Sequence, residues 1–254
     1  MAHQRRSEDR CVLHFQSMVI PSYSTRCTKK ELVAPNVYEL KLEKPQGLTF
    51  KPGQFVLFDV PLIGNPTDIQ PRACSIASTP DEQELLFVVK LKAGGRMSEW
   101  IVRSLTVGSV ITMKGPFGLF TLKPTDHDIL FAATGAGIAP FRSQILDALT
   151  HGDTRTMHLF FGVRTRQDLF WHEEFESLEK RFTNFHLHYC LSGNDPNWTG
   201  ESGRIQNFLP AMIQHRDKTD LYVCGAPEMV SDMKKLALET WGIPKANVHA
   251  EGYI

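Results

Sequence analysis

The sequence predicts a two-domain β plus α/β fold: an antiparallel β-barrel over residues 17–123, then a doubly wound parallel sheet over 124–254. Three observations carry that expectation. In the first half, short β-branched and aromatic runs are separated by Pro and Gly, as in closely spaced antiparallel strands. In the second half, apolar strands alternate with helical periods, as in a parallel sheet covered by helices on both faces. Between them, "TLKPTDHD" at 121–128 breaks the apolar pattern with proline and charge.

The opening "MAHQRRSEDRCVLHF" is basic, but it contains Glu8 and Asp9 and no long apolar run follows. Residues 1–16 therefore read as a disordered leader rather than a signal peptide. Strands are expected at "VYELKLEK" (37–44), "QFVLFDVPL" (54–62), "RACSIAST" (72–79), "LLFVVKLK" (85–92) and "SVITMKGPF" (109–117), with "KPQG", "KPGQ", "PLIGNP" and "KAGG" as turns. One helix is expected at "MSEWIVRSL" (97–105), with Ser98 placed to cap it. Several short strands and one helix suggest a small barrel.

The second half begins with a strand at "DILFAAT" (128–134) and a helix in "GAGIAPFRSQILDAL". Further strands are expected at "TMHLFFGVR" (156–164), "FHLHYCLS" (185–192), "LYVCGA" (221–226) and "NVHAEGYI". Helical segments between them are "WHEEFESLEKRF", "GRIQNFLPAMI" and "PEMVSDMKKLALETW".

Composition narrows the function classes. The 28 Lys and Arg balance 28 Asp and Glu, so nothing predicts an electrostatic grip on nucleic acid or an anionic membrane. The five cysteines (Cys11, Cys27, Cys74, Cys190, Cys224) are scattered without C-x-x-C spacing. That argues against a disulfide framework and against zinc or iron–sulfur sites, and for a reducing, cytoplasmic compartment. No apolar run approaches the roughly 18–20 residues of a membrane span.

Two stretches suggest chemistry. In "FAATGAGIAPFRS", Gly135 and Gly137 lie between an apolar strand and a helix. Small residues there let backbone N–H groups approach a phosphate, and the helix N-terminus adds partial positive charge. Pro140 takes the place of a third glycine, which suits a helix start. "PRACSIAST" sets Cys74 between Arg72 and Ser75, and taken alone fits a strand edge, a reactive thiol or a cofactor site. By themselves Arg72 and Glu251 read as surface charges, and Cys224 as a small buried core residue.

Taken in order, these motifs resemble the ferredoxin–NADP reductase superfamily across residues 17–254. "PRACSIAST" is similar to its R-x-Y-S-x-x-S flavin motif, and "GGRMSEW" to its G-x-x-S motif. "TGAGIAPFRS" is similar to its pyridine-nucleotide loop, "YVCGAPEMV" to its C-G-x-x-x-M segment and "AEGYI" to its carboxylate-plus-aromatic terminus. The resemblance implies that Arg72, Ala73, Cys74 and Ser75 line FAD, while Gly95, Arg96, Met97 and Ser98 hold its pyrophosphate. It implies that Thr134, Gly135, Ala136, Gly137, Pro140 and Gly225 bind the nicotinamide dinucleotide. Ser75, Cys224 and Glu251 would shape the hydride-transfer site, and Tyr253 would cover the flavin as a removable lid. The family has an aromatic where this chain has Cys74, so a looser flavin or a compensating ring, Phe117 or Tyr253, is expected.

The choice between NADH and NADPH turns on fixed cations. The family's NADP-specific members follow the serine matching Ser192 with arginine; here Gly193 follows, which favours NADH. Arg164, Arg166 and Arg204 are the cations that would take a 2′-phosphate. The implied function is an FAD-dependent NAD(P)H oxidoreductase passing electrons to a soluble protein such as ferredoxin or an oxygenase component, or to a small-molecule acceptor. A ferric or flavin reductase, and a non-catalytic FAD-binding electron-transfer subunit, are the alternatives.

Overall fold

The computed structural model describes residues 20–253. The expected leader at 1–16 lies outside them. The first domain is a six-stranded antiparallel sheet of β1 (Ser22–Ala34), β2 (Val37–Glu43), β3 (Phe55–Leu62), β4 (Asn65–Ser75), β5 (Glu84–Lys90) and β6 (Val110–Phe117), in the order β4-β3-β6-β1-β2-β5. It curls so that its edges approach where the Ala77 N–H donates to the Leu86 carbonyl (2.8 Å), but no ladder closes β4 on β5. Alternation supplies the core: Val56, Phe58 and Val60 of β3 point inward with Leu40 and Leu42 of β2. Helix α1 (Arg96–Arg103) packs Met97, Trp100 and Ile101 into the same cluster.

The second domain is a six-stranded parallel sheet of β7 (Asp128–Thr134), β8 (Met157–Val163), β9 (Phe185–Leu191), β10 (Glu201–Ser202), β11 (Thr219–Gly225) and β12 (Val248–Gly252), in the order β10-β9-β8-β7-β11-β12. Its strands are nearly continuous apolar runs because both faces are covered. Ile129, Phe131 and Ala133 of β7 face α2 (Ala139–Thr150) and α3 (His172–Arg181). Leu130 and Ala132 face α4 (Pro227–Glu239). The chain leaves β7 toward β8 and later returns to β11 on its other side. The ends of β7 and β11 therefore flank a topological switch point, where open α/β sheets bind ligands.

Four expectations change. Strand β1 was not anticipated, because its 13 residues, "SYSTRCTKKELVA", are mostly polar. Strand β4 stops at Ser75 and reaches back to Asn65, so the "PLIGNP" turn is the tip of a β3–β4 hairpin. The segment "GRIQNFLPAMI" forms two 3₁₀ turns, Ile205–Asn207 and Leu209–Met212, and no α-helix. Pro210 at the start of the second turn has no N–H to continue a helical ladder from the first. Ser98 does not cap α1: Gly95 is the N-cap residue, and the Ser98 hydroxyl accepts the Lys92 N–H (2.7 Å).

Candidate active site at the domain junction

The switch point is lined by backbone that tolerates no side chains. Gly135 begins a 3₁₀ turn, Gly135–Ile138, that runs directly into α2 with Pro140 in the first helical turn. A Cβ on Gly137 would collide with the Cys224 carbonyl, and one on Gly225, at φ +142°, with the Thr134 hydroxyl. That hydroxyl accepts the Ala226 N–H (3.1 Å), joining the ends of β7 and β11. Ala136 is buried beneath the turn. Above it hangs Lys90, exposed at the end of β5, with Nζ 3.8 Å from where a Gly135 Cβ would stand. Lys90 was not anticipated from sequence. It ends an apolar strand, and only the docking of the two domains brings it over the glycine turn.

On the barrel side, Arg72 lies on β4 opposite Phe58, half-buried. Its guanidinium donates to the Pro71 carbonyl (2.8 Å) and to Gln70 Oε1 (3.0 Å), and it forms no ion pair among the described residues. Its charge is therefore not cancelled by a carboxylate among the described residues, and the guanidinium, held by two neutral acceptors, keeps that charge for an anion. Ala73 is exposed beside it. Cys74 turns to the opposite face from Ser75, packs in the barrel cluster and is 8% exposed. Burial pushes its thiol up to about 12, so it stays protonated and unreactive at neutral pH.

At the start of α1, a Cβ on Gly95 would stand 3.0 Å from the Lys92 carbonyl, so the backbone turns closely there. Met97 and Ser98 are buried. Arg96 points away into a two-pronged ion pair with Asp68 (3.0 and 3.1 Å), so its guanidinium is already engaged. Phe117 packs against Phe55 with the rings tilted by 33° and their centroids 5.7 Å apart.

The two sides meet at Ser75. The Tyr253 hydroxyl donates to Ser75 Oγ (2.9 Å), and Ser75 Oγ donates to Glu251 Oε1 (3.4 Å). Glu251 of β12 stands beside Cys224 of β11 in register. Burial raises the Glu251 carboxyl above its ordinary value, and the Ser75 hydroxyl only partly offsets this. Burial drives the Cys224 thiol far up, with Glu251 adding repulsion. Cys224 is therefore a neutral wall, fully buried. Tyr253 spans this mouth, its N–H donating to the Gly225 carbonyl (3.1 Å).

Farther out along the sheet, Ser192 donates to the Val163 carbonyl (3.3 Å). Arg166 pairs with Asp195 (3.3 Å), while Arg164 and Arg204 are exposed and form no ion pair among the described residues. The cradle thus holds two cations free for phosphate and a carboxylate occupied by a third. These features fit the group the resemblance implies: an unpaired arginine and an open helix start for one pyrophosphate, and a glycine turn under a lysine for another.

The two domains are also similar to known protein families. Residues 24–122 match the family model "Oxidoreductase FAD-binding domain", and residues 131–235 match "Oxidoreductase NAD-binding domain". The chain is 32% identical over 241 residues to ferredoxin–NADP reductase B of Sorangium cellulosum (strain So ce56), covering 91% of this chain and 97% of that one. It is 32% identical over 237 residues to the reductase component of propane 2-monooxygenase of Rhodococcus jostii (strain RHA1), spanning 63% of that longer protein. Among solved structures, an Amycolatopsis cytochrome P450 reductase superposes with a TM-score of 0.81 at 24% identity, covering 92% of this chain and 71% of that one.

Proposed function

This chain belongs to the ferredoxin–NADP reductase superfamily, and from that premise we propose an FAD-dependent NAD(P)H oxidoreductase that delivers electrons to a separate protein. The observation that carries the reading is the junction itself. The end of the flavin-motif strand, at Ser75, meets the switch point of the nucleotide sheet, at Cys224 and Glu251.

Bound FAD supplies a hydride acceptor for NAD(P)H and an electron donor for the next protein. The chain's own residues bind, orient and shield. Arg72 holds a flavin phosphate by its uncancelled charge, and the α1 start at Gly95–Ser98 supplies N–H groups and partial positive charge. The Gly135–Gly137 turn and Lys90 take the dinucleotide pyrophosphate. Cys224 and Gly225 keep the crevice narrow and dry beside Ser75. Glu251, its carboxyl raised by burial and accepting the Ser75 hydroxyl at Oε1, would stand beside the reacting atoms as the group that takes up or gives back a proton. Tyr253 covers the mouth and would have to move aside for a nicotinamide to reach Ser75.

The acceptor we propose is a ferredoxin or an oxygenase component, as the relatives' names suggest. No helix among the described residues is long and apolar enough to cross a membrane, and we place the enzyme in the cytoplasm. Gly193, where the family's NADP-specific members carry arginine after the matching serine, favours NADH over NADPH. The test is anaerobic titration of FAD-loaded protein with each nucleotide. Bleaching of the flavin band, faster with NADH, is expected; a chain that takes up no FAD, or is bleached by neither nucleotide, overturns the reading.

A further inference from the structure

The sequence motifs "PRACSIAST" and "TGAGIAPFRS" are bonded to each other by their final residues. Helix α2 is buried on every side through its first two turns, from Ala139 to Ile145, because its polar face lies against the barrel. Arg142, 6% exposed, gives all five of its N–H groups to protein acceptors. Nη1 donates to the Ala77 carbonyl (2.8 Å) and to Glu82 Oε2 (3.0 Å). Nη2 donates to Glu82 Oε1 (3.1 Å) and Glu174 Oε1 (2.6 Å), and Nε donates to Glu174 Oε2 (2.7 Å). The next residue, Ser143, donates to the Ser78 carbonyl (2.7 Å). The one after, Gln144, donates to the Phe120 carbonyl and lies so close to Gly53 that no side chain fits there.

A second observation shows the contact is built rather than incidental. Trp171 holds a left-handed backbone (φ 57°) just before α3, a conformation non-glycine residues keep only when their surroundings hold them there. Its indole N–H donates to Glu39 Oε2 of the barrel (2.6 Å), and its ring lies 5.6 Å from the Arg142 guanidinium carbon.

We propose that Arg142 and Ser143 are positioning residues for hydride transfer. They bind the segment Ala77–Ser78, with one residue between it and Ser75, to the helix that carries the Gly135–Gly137 turn. The separation between the flavin edge of the barrel and the nicotinamide edge of the sheet is set by these bonds, since α2 is rigid from the turn to Arg142. The proposal rests on the function proposed above. A displacement of about 1 Å at reacting atoms costs on the order of 10²-fold in rate, so even a partly loosened latch is measurable.

The test uses Arg142→Lys, which keeps the charge but cannot reach five acceptors, and Ser143→Ala, which removes one hydrogen bond. In cofactor-free protein, amide hydrogen exchange at 76–79 and 141–144 is expected to accelerate in both variants, while the barrel core at 40–42 and the sheet core at 159–161 stay protected. In FAD-loaded protein at saturating nucleotide, the flavin reduction rate is expected to fall about tenfold for Arg142→Lys and about threefold for Ser143→Ala, with nucleotide KM within about twofold of wild type. Wild-type rates in folded, flavin-loaded variants overturn the proposal and leave the latch a stability element. If Arg142→Lys does not fold, Ser143→Ala decides alone. Failure of the wild-type protein to be reduced by either nucleotide instead removes the functional reading, and this proposal with it.

Discussion

Where α2 meets the barrel, Arg142 fills all five of its donors. Where Ser75 meets β12, one bond of 2.9 Å and one of 3.4 Å join the domains. Both contacts lie between the same two domains, yet their chemistry is opposite. At the latch, burial works against the guanidinium charge but Glu174 and Glu82 outweigh it, so the charge is held at every working pH. At the mouth the groups are a hydroxyl, a phenol, a thiol and a carboxyl raised toward its neutral form. A saturated ion cluster has no spare capacity and does not yield. A contact of two hydrogen bonds, one of them long, has little to lose when it breaks. The same two domains are thus joined by a saturated ion cluster at one place and by two hydrogen bonds at another.

The largest expected effect breaks the latch. Arg142→Met leaves two carboxylates facing each other without their cation and should lower stability by about 3 kcal/mol in urea unfolding. A loss near zero would mean that the cluster carries no net stability. At the mouth, Glu251→Gln should slow flavin reduction about 10²-fold with unchanged flavin content; full activity would make Glu251 a bystander. Arg72→Ala removes one charge-assisted phosphate contact and should weaken FAD binding roughly tenfold, read by fluorescence on flavin release. An unchanged affinity would place the phosphate elsewhere. Tyr253→Phe deletes the bond to Ser75 and should lower the nucleotide KM by a few-fold, about 1 kcal/mol of mouth opening. An unchanged or higher KM would show that the phenol does not hold the mouth shut.

The smallest effect is a slope. The Glu251 carboxyl is raised from 4.5 in the folded chain, so between that value and its raised one the folded chain holds a proton that the unfolded chain has released. Stability from this residue is therefore present at low pH and declines as pH rises through the window. Glu251→Gln should flatten that part of the stability profile, whereas Ser143→Ala should leave its slope unchanged. Equal slopes in wild type and Glu251→Gln would remove the carboxyl from the account.

Several parts of this structure were legible in the residue order. The parallel strands were readable because burial on both faces makes them continuous apolar runs, as in "DILFAAT". The glycine turn was readable because close backbone approach admits little else. Polar β1 was not, since its pairing with β2 and β6 gives its backbone partners that its side chains do not announce. Nor was the loss of a helix at 205–212, where Pro210 and local packing override an apolar pattern. The cap expected at Ser98 failed because that hydroxyl had a nearer partner in Lys92.

The sequence by itself determined two domains, the glycine turn, and the ordered motifs of a flavin- and nicotinamide-binding family. The first two follow from local physics, periodicity and turn chemistry; the motifs point to that family by resemblance. Only the tertiary structure decided that Lys90 hangs over Gly135, that Arg142 divides its donors between Ala77 and Glu82 of the barrel and Glu174 of α3, and that Cys74 faces the core while Ser75 faces Glu251 and Tyr253. Each of these depends on residues tens of positions apart meeting in space, several of them across the domain boundary. A side chain's charge, burial and hydrogen-bond partners are set by what surrounds it in space.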